Sequence, residues 1–599
     1  MTYENFFTDR RIIEKLIRLR IKEAGHRNIN ISDARILGNA NSLPASLTQN
    51  CDMIDSEEIC RLFPPRGQWL RPPKQHRNSH PTINNIYTLR RTVDILIAKP
   101  KHSQSPWAVS LKQFIINIRE RALSDKELSF QIKQIRMIPK DKNRLRPVVI
   151  YSLVDRVTDS LVCDYLRSCL DDEFIDRSFA YRSKPEGKPA PTSNDAIREI
   201  DKYVSSRSGS ETWVAECDIE AFFDSISHSV IKDSLARIMK RRHEANKPDI
   251  DQRALRAIDS FLVSYSFKRD VLETWQPKFQ QEHPEHSGKR CKWAEPKLSQ
   301  IHNGNLNVPI GIPQGAAIST VLANVVLDVA DKAVVEPGTD SDLFYARYSD
   351  DIVILHKNRS QCQAALTRYC AAMSELKLPV HEPKSTEKYG RAFWECKSKQ
   401  PFLWSQDRRS VTSPWISFVG YQIHINKIIR VRPSSIKKEQ KKQAGITQKI
   451  VKYIKCAIYR NKHINGIDAI LHSMRMRLVA MSVGKQKIYS DPGNRLPSSW
   501  TYAFEALRIM PHDSGQLRLL DRHREATLDT FRRRLRLLMK DYKYIIQTKG
   551  KGKNNRRVRY FGYPFSYFSQ FESMTEPRPW RRRPRTLSRG EIPMPDPSA

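Results

Sequence analysis

Two adjacent aspartates, Asp350 and Asp351, stand between apolar runs in LFYARYSDDIVIL. Carboxylates held this close repel one another, so a fold that keeps the pair needs cations beside it. Leu343 to Leu355 reads as strand, turn, strand, with Tyr348 to Asp351 at the tip. A third acid ends another strand far upstream. There Trp213, Ala215, Cys217 and Ile219 alternate on one face and Asp218 lies on the other, which predicts a strand with one buried side and Asp218 turned from the core. Hard carboxylate oxygens on rigid strand ends suit octahedral Mg2+, which keeps positions open for water and substrate phosphates. Taken alone, YSDD reads better as an ordinary Asp-rich turn.

The surrounding composition narrows the class. The 599 residues are enough for several structural units with a full-sized core. Lysines and arginines number 103 against 65 acids, and the excess of +38 runs along the whole chain, as expected for a protein that holds a polyanion through many phosphate contacts. Charge alone does not separate DNA from RNA. The ten cysteines include no CxxC pair, which argues against a zinc ribbon, a zinc-bearing nuclease module or a disulfide framework, and favours a reducing compartment. The opening MTYENFFTDRRIIEKLIRLR mixes charges into its apolar pattern, and no later stretch reaches membrane-spanning length. We therefore expect a cytoplasmic protein with no membrane partner.

Along the chain, Ile12, Ile13, Leu16 and Ile17 predict a short opening helix, followed by a loop-like stretch broken by PPRG and RPP. IKQIRMIPK and LRPVVIYS flank a polar DKNR turn, the pattern of a hairpin with a basic tip, and helical segments run on to Leu170. Ile226, Val230, Ile231, Leu235 and Ile238 predict a helix after Asp218; Val321, Leu322, Val325, Val326 and Val329 predict another from Ile318. Between them, WQPKFQQEHPEHSGKRCKWAEPK looks like an insertion. After Val431 the pattern is helical and basic.

These pieces, in this order, resemble reverse transcriptases of the group II intron and retron type. The resemblance rests on IPKDKNRLRPVVIYSLVDRV, FAYRSKP, ECDIEAFFDSISH, GIPQGAAISTVLANVVLDVAD, YARYSDDIVIL, HEPKST and FVGYQI, seven motifs over roughly half the chain. It implies an α+β right-hand polymerase with fingers, an antiparallel palm sheet and a helical thumb. The expected divisions are an N-terminal extension (1–125), fingers and palm (126–433, with an insertion about 242–306), a thumb (434–500) and a basic, aromatic C-terminal extension (501–599).

The resemblance also implies roles. Asp218, Asp350 and Asp351 would bind two Mg2+ ions, or Mn2+, with the Ile219 carbonyl as a further ligand. Lys140 and Arg146, on the arms of the fingers hairpin, would grip the dNTP triphosphate. Phe223 occupies the position where a ring crowds a ribose 2′-hydroxyl and favours deoxynucleotides. Gln314 and Gly315 would lie under the incoming nucleotide, Tyr348 would lean on the primer end, and Lys384 is a candidate general acid for departing pyrophosphate. Ser349 stands where Ala is usual, Ala316 where a second Gly is frequent and Thr320 where Pro is common. None of these departures removes a metal ligand.

The C-terminal segment interleaves basic runs (Arg532 to Arg534, Lys549 to Lys553, Arg581 to Arg583) with Tyr560, Phe561, Tyr563, Phe565, Tyr567 and Phe568, a pattern that suits stacking on single-stranded bases and equally suits a small appended core. Length and the missing zinc endonuclease bring the chain nearest to the bacterial "unknown group" of reverse transcriptases, many of them defence-associated. That likeness implies antiphage DNA synthesis on an RNA template or noncoding RNA, with a second reverse transcriptase or another copy of the chain as partner. Three other readings stay open: an intron-encoded splicing and mobility factor, a nucleic-acid-binding scaffold with a relic palm, and an RNA-directed RNA polymerase.

Overall fold

The computed structural model describes residues 2–36, 56–73, 81–124, 128–139, 145–183, 190–206, 211–282, 301, 308–335, 341–384, 393–394, 396–405, 412–459, 466–483, 500–508 and 510–541. The chain divides into two compact units, one made of 1–17, 57–64 and 96–419, the other of 18–56, 65–95 and 420–599. Among the described residues, no helix is long and apolar enough to cross a membrane, and the cysteines are free thiols.

The opening helix is longer than its apolar pattern suggests. Helix α1 spans Asp9–Ile36, with Ile12, Leu16 and Ile17 buried as expected. Two further helices, α2 (Pro81–Ile97) and α3 (Pro106–Leu123), occupy a stretch of mixed pattern. Their local signals include the leading prolines, whose missing N–H costs nothing in a first helical turn. Helix α3 buries Leu111, Phe114, Ile115 and Ile118 on one face.

In the first unit, β1 (Ile132–Pro139) and β2 (Leu145–Tyr151) form the expected antiparallel hairpin, paired from Ile132↔Tyr151 to Pro139↔Leu145. Helix α4 (Leu153–Leu170) follows, capped by Ser152 Oγ, which accepts the Asp155 N–H at 3.2 Å. After α5 (Ser193–Ser205) the chain enters β3 (Thr212–Asp218), then α6 (His228–Glu244) and α7 (Gln252–Ser264). The span expected as an insertion is thus structured at its start: α7 buries Ala254, Ala257, Ile258, Phe261 and Leu262. A π-helical stretch follows at Phe267–Trp275.

Helix α8 (Ile318–Val334) leads into the hairpin β4 (Phe344–Tyr348) and β5 (Asp351–His356); then come α9 (Arg359–Glu375), β6 (Lys399–Trp404) and β7 (Thr412–Ser413). The sheet order is β4-β5-β3-β6-β7. Strand β3 is therefore interior, antiparallel to β5 on one side and β6 on the other. That position corrects the expectation of a half-buried strand. Helix α9 packs across β3, β5 and β6, yet Val214 and Glu216 on the alternate face are buried too, Glu216 as an ion pair with Lys399. Helix α8 packs on α6 and α9 and is buried almost all round, so its Asn324, Asp328 and Asp331 must find polar partners inside.

The second unit holds a short antiparallel hairpin, β8 (Tyr421–His424) with β9 (Ile429–Val431), and three long helices: α10 (Pro433–Tyr459), α11 (Ile467–Val483) and α12 (Gly515–Asp541). Ile450, Ile454, Ala457, Ile470, Met474, Phe531 and Leu535 share one core, so the start of the basic C-terminal segment packs with the helices of the expected thumb. The aromatic and basic residues beyond 541 lie outside the described residues.

Candidate active site

The register of the sheet sets two of the three acids side by side. Asp218, the last residue of β3, is paired with Asp351, the first residue of β5, and Asp351 is paired in turn with Tyr348 at the end of β4. Directly opposite residues of an antiparallel pair carry their side chains on one face, with Cβ atoms about 4.5–5.5 Å apart. Asp350 completes the two-residue turn between them. Ser349, the other turn residue, has a φ of 59°, a left-handed value that a non-glycine side chain adopts at a cost and that matches the twist of tight hairpins.

All three aspartates are half-buried. Among the described residues no three acidic, histidine or cysteine side chains are gathered as a ready-made metal cage. Instead, the Asp218 carboxylate meets positive charge from its own chain: Lys397 Nζ pairs with Oδ2, and His381 Nε2 lies 3.5 Å from the same oxygen. Neither partner is signalled by the motifs, although His381 stands inside HEPKST and Lys397 in the KSK run before β6. The Asp218 N–H donates to Ser398 Oγ at 3.0 Å, which fixes the strand end against β6.

Segment 379–381 zips onto the chain leaving β3. The His381 N–H donates to the Asp218 carbonyl at 2.9 Å, the Glu220 N–H to the Pro379 carbonyl at 2.7 Å, and Ile219, buried, bridges to Val380. Ala221 then turns through a left-handed φ of 50° into the short helical turn Phe222–Ser225. This places Phe223 half-buried, its ring edge-on to Phe222 with centroids 5.3 Å apart.

The residues expected on the nucleotide side are tied to that turn. The Phe223 carbonyl accepts the Ile312 N–H at 2.8 Å, Gln314 Nε2 donates to Asp224 Oδ1 at 2.7 Å, and the Gln314 carbonyl accepts the Val149 N–H of β2 at 3.0 Å. Phe223, Gln314 and the hairpin arm that carries the exposed Arg146 thus form one connected set. Gly315 has a φ of 105°, which favours glycine, and a Cβ there would sit 3.2 Å from Val148 Cγ1, tight enough that the valine must shift. Lys140 lies outside the described residues. Lys384 is exposed, its backbone bridged to Lys399 rather than its side chain to the aspartates. Tyr348 is half-buried; burial, and then the nearby Tyr181, raise its phenol above the ordinary range.

Beneath the loop, Asp159 of α4 accepts the N–H groups of Ala317 (2.6 Å) and Ile318 (2.8 Å) at the start of α8. Burial pushes its carboxyl up to about 6, against these hydrogen bonds. Thr320 receives Arg167 Nη2 at 2.7 Å and donates to the Ala317 carbonyl at 2.6 Å, so the residue found where Pro is common has its own work of joining α4 to α8.

A second polar network, unforeseen from the motifs, lies under the aspartate turn. Arg347 is fully buried, and its fork is bidentate to Asp331, Nε to Oδ1 at 2.7 Å and Nη2 to Oδ2 at 2.6 Å. Tyr345 Oη donates to the same Asp331 Oδ1 at 2.6 Å. Arg347 Nη1 donates to Asn324 Oδ1 at 3.1 Å and to the Ser349 carbonyl at 3.2 Å. The Arg347 backbone joins the FAYRS segment, its N–H to the Arg177 carbonyl at 3.0 Å and its carbonyl from the Phe179 N–H at 2.9 Å.

Residues 138–423 match the family described as reverse transcriptase (RNA-dependent DNA polymerase). This match supports the RNA-directed DNA polymerase (nucleotidyltransferase) class expected from the motifs, and the mostly antiparallel sheet with its separate hairpin fits the expected right-hand polymerase fold. No curated protein matches the chain in sequence. Solved structures similar to it include apo telomerase from Candida tropicalis (11% identity, TM-score 0.32, 89% of this chain and 85% of that one). Another is the same organism's telomerase truncated from its C-terminal domain (13%, 0.31), of which this chain spans 59%, less than two thirds, over 53% of its own length. A third is telomerase from Candida albicans in complex with a TWJ fragment of telomeric RNA (9%, 0.30, 73% and 68%).

Proposed function

We propose that this chain copies RNA into DNA by adding dNTPs to a primer end at Asp218, Asp350 and Asp351. The observation that carries the reading is the Asp218↔Asp351 register inside a reverse transcriptase domain. The donor set fits divalent cations: carboxylate oxygens on opposed strand ends, with an ammonium, Lys397, already drawn to one of them. Asp218, Asp350, Asp351 and the Ile219 carbonyl would hold two Mg2+ ions, or Mn2+, which when bound supply the positive charge that eases deprotonation of the 3′-hydroxyl and release of pyrophosphate.

The remaining steps belong to the chain's own residues, and alignment is most of their work. Arg146, together with Lys140, grips the triphosphate through phosphate hydrogen bonds. Phe223 excludes a ribose 2′-hydroxyl, held in place by its carbonyl bond to Ile312. Gln314 and Gly315 support the nucleotide, Tyr348 supports the primer end, and Lys384 is the candidate proton donor to pyrophosphate. We read the biological role, from the likeness to the bacterial "unknown group", as antiphage DNA synthesis in the cytoplasm, with a noncoding RNA and a second reverse transcriptase or another copy of the chain as partners.

The test is incorporation by purified protein given Mg2+, a primed RNA template and either dNTPs or NTPs. DNA product made from dNTPs is expected; preference for NTPs, or no incorporation, overturns the reading. Sequencing nucleic acid that co-purifies from cells identifies the template, and recovery of the flanking intron RNA would replace defence with splicing and mobility.

A further inference from the structure

We propose that Arg347 is a positioning residue for the aspartate turn: clamped on Asp331, its guanidinium holds the Ser349 carbonyl and so fixes the direction in which Asp350 and Asp351 leave the sheet. The inference rests on the polymerase reading of those aspartates.

A buried ion pair needs a reason. Apolar side chains of similar volume fill such a space as stably or better, because both charges give up hydration to enter it. Arg347 and Asp331 are each fully buried, with Tyr345 and the buried Asn324 as their neighbouring polar groups. What an apolar pair would lack is the third edge of the guanidinium. With Nε and Nη2 locked on the Asp331 carboxylate, the plane of the fork is set, and with it the two N–H directions of Nη1, whose acceptors are Asn324 Oδ1 and the Ser349 carbonyl.

Ser349 is where such a restraint matters. Its left-handed φ of 59° is costly for a residue with a Cβ and persists only when the surroundings impose it. A slackened turn would let both following carboxylates swing. One more contact reaches the same residue from the side: Tyr181, itself left-handed at φ 61°, approaches Ser349 Oγ with its hydroxyl at 3.4 Å, and Asn324 Nδ2 holds the carbonyl of the preceding Ala180 at 2.9 Å. Arg347 of β4, seated on Asp331 of α8, therefore holds the Ser349 carbonyl, while Tyr181 of the FAYRS segment approaches the Ser349 side chain. The motif places acids at the tip; the dry pair behind it gives them their angle.

The experiment compares wild type with two variants. Arg347→Met with Asp331→Asn removes both charges together, fills the volume and leaves Tyr345 Oη an acceptor; Arg347→Lys keeps a charge on Asp331 but has no third edge to offer. Folding is followed by melting temperature and by affinity for primed RNA template without nucleotide, which depend little on the turn. In folded variants the Mg2+ concentration for half-maximal incorporation should rise, and kcat should fall, each roughly 10- to 100-fold, as when a group supporting a metal ligand is lost. The KM for dNTP should change less than kcat. Either variant, folded, with wild-type Mg2+ dependence and wild-type kcat overturns the proposal. If wild type itself incorporates nothing, the polymerase reading has failed instead.

Discussion

Asp218 stands directly opposite Asp351 in the antiparallel pairing of β3 with β5. Like charges in that relation destabilise a sheet, and here the strain is met on one side by Lys397. A protein that only needed a stable sheet would gain by replacing either acid. The pair makes sense as a place for cations.

Phe223 should govern sugar choice. Its ring is set by the Phe222 contact and by the carbonyl bond to Ile312, so Phe223→Ala removes bulk without removing a buried polar partner. The preference for dNTPs over NTPs should fall roughly 10- to 100-fold, the range one pocket contact supplies, with dNTP incorporation itself retained. Competition between labelled dNTP and NTP measures it, and an unchanged ratio removes Phe223 from this role.

Gly315→Ala should impair nucleotide use. A φ of 105° and a Cβ 3.2 Å from Val148 Cγ1 impose strain on the order of 1–3 kcal/mol at a peptide joined to β2. A raised dNTP KM and a lowered melting temperature are expected. Gly67→Ala is the control, because a Cβ there meets no atom within 4 Å.

Stability should carry a pH signature from Asp159. Its folded carboxyl titrates near 6, above the ordinary 3.8, because burial outweighs the Ala317 and Ile318 N–H groups. As pH rises between those values the unfolded chain loses its proton first, so the folded state becomes relatively less stable, by on the order of 3 kcal/mol once pH passes 6. Asp159→Asn, which cannot ionise, should gain on wild type across this window in thermal unfolding at pH 4 and pH 7. A constant difference would contradict the assignment.

Much of this site was legible because strand periodicity and acid placement are local. Asp218, the Tyr348 to Asp351 tip and the fingers hairpin follow from alternation and turn residues over a few positions, and the ordered motifs supplied the long-range pairing that no window contains. What stayed hidden depends on partners distant in sequence. Nothing near Arg347 marks it as buried, since an arginine beside a tyrosine reads as surface until Asp331 arrives from α8. Lys397 reads as one of many surface cations until β6 carries it to Asp218. Helix α2 is hard to read because Thr88 and Thr92 stand on its buried face among Leu89, Val93 and Leu96, whereas α3 carries a readable signal in Leu111, Phe114, Ile115 and Ile118 at helical spacing.

The most direct measurement is Mg2+-dependent dNTP incorporation on a primed RNA template by wild type beside Asp350→Ala/Asp351→Ala. These residues lie half-exposed at a turn tip, so the variant should fold and still bind template. The account predicts incorporation by wild type and a loss of roughly 10³-fold or more in the variant, since the charge that organises the reaction is gone. Equal incorporation by the two proteins would contradict it.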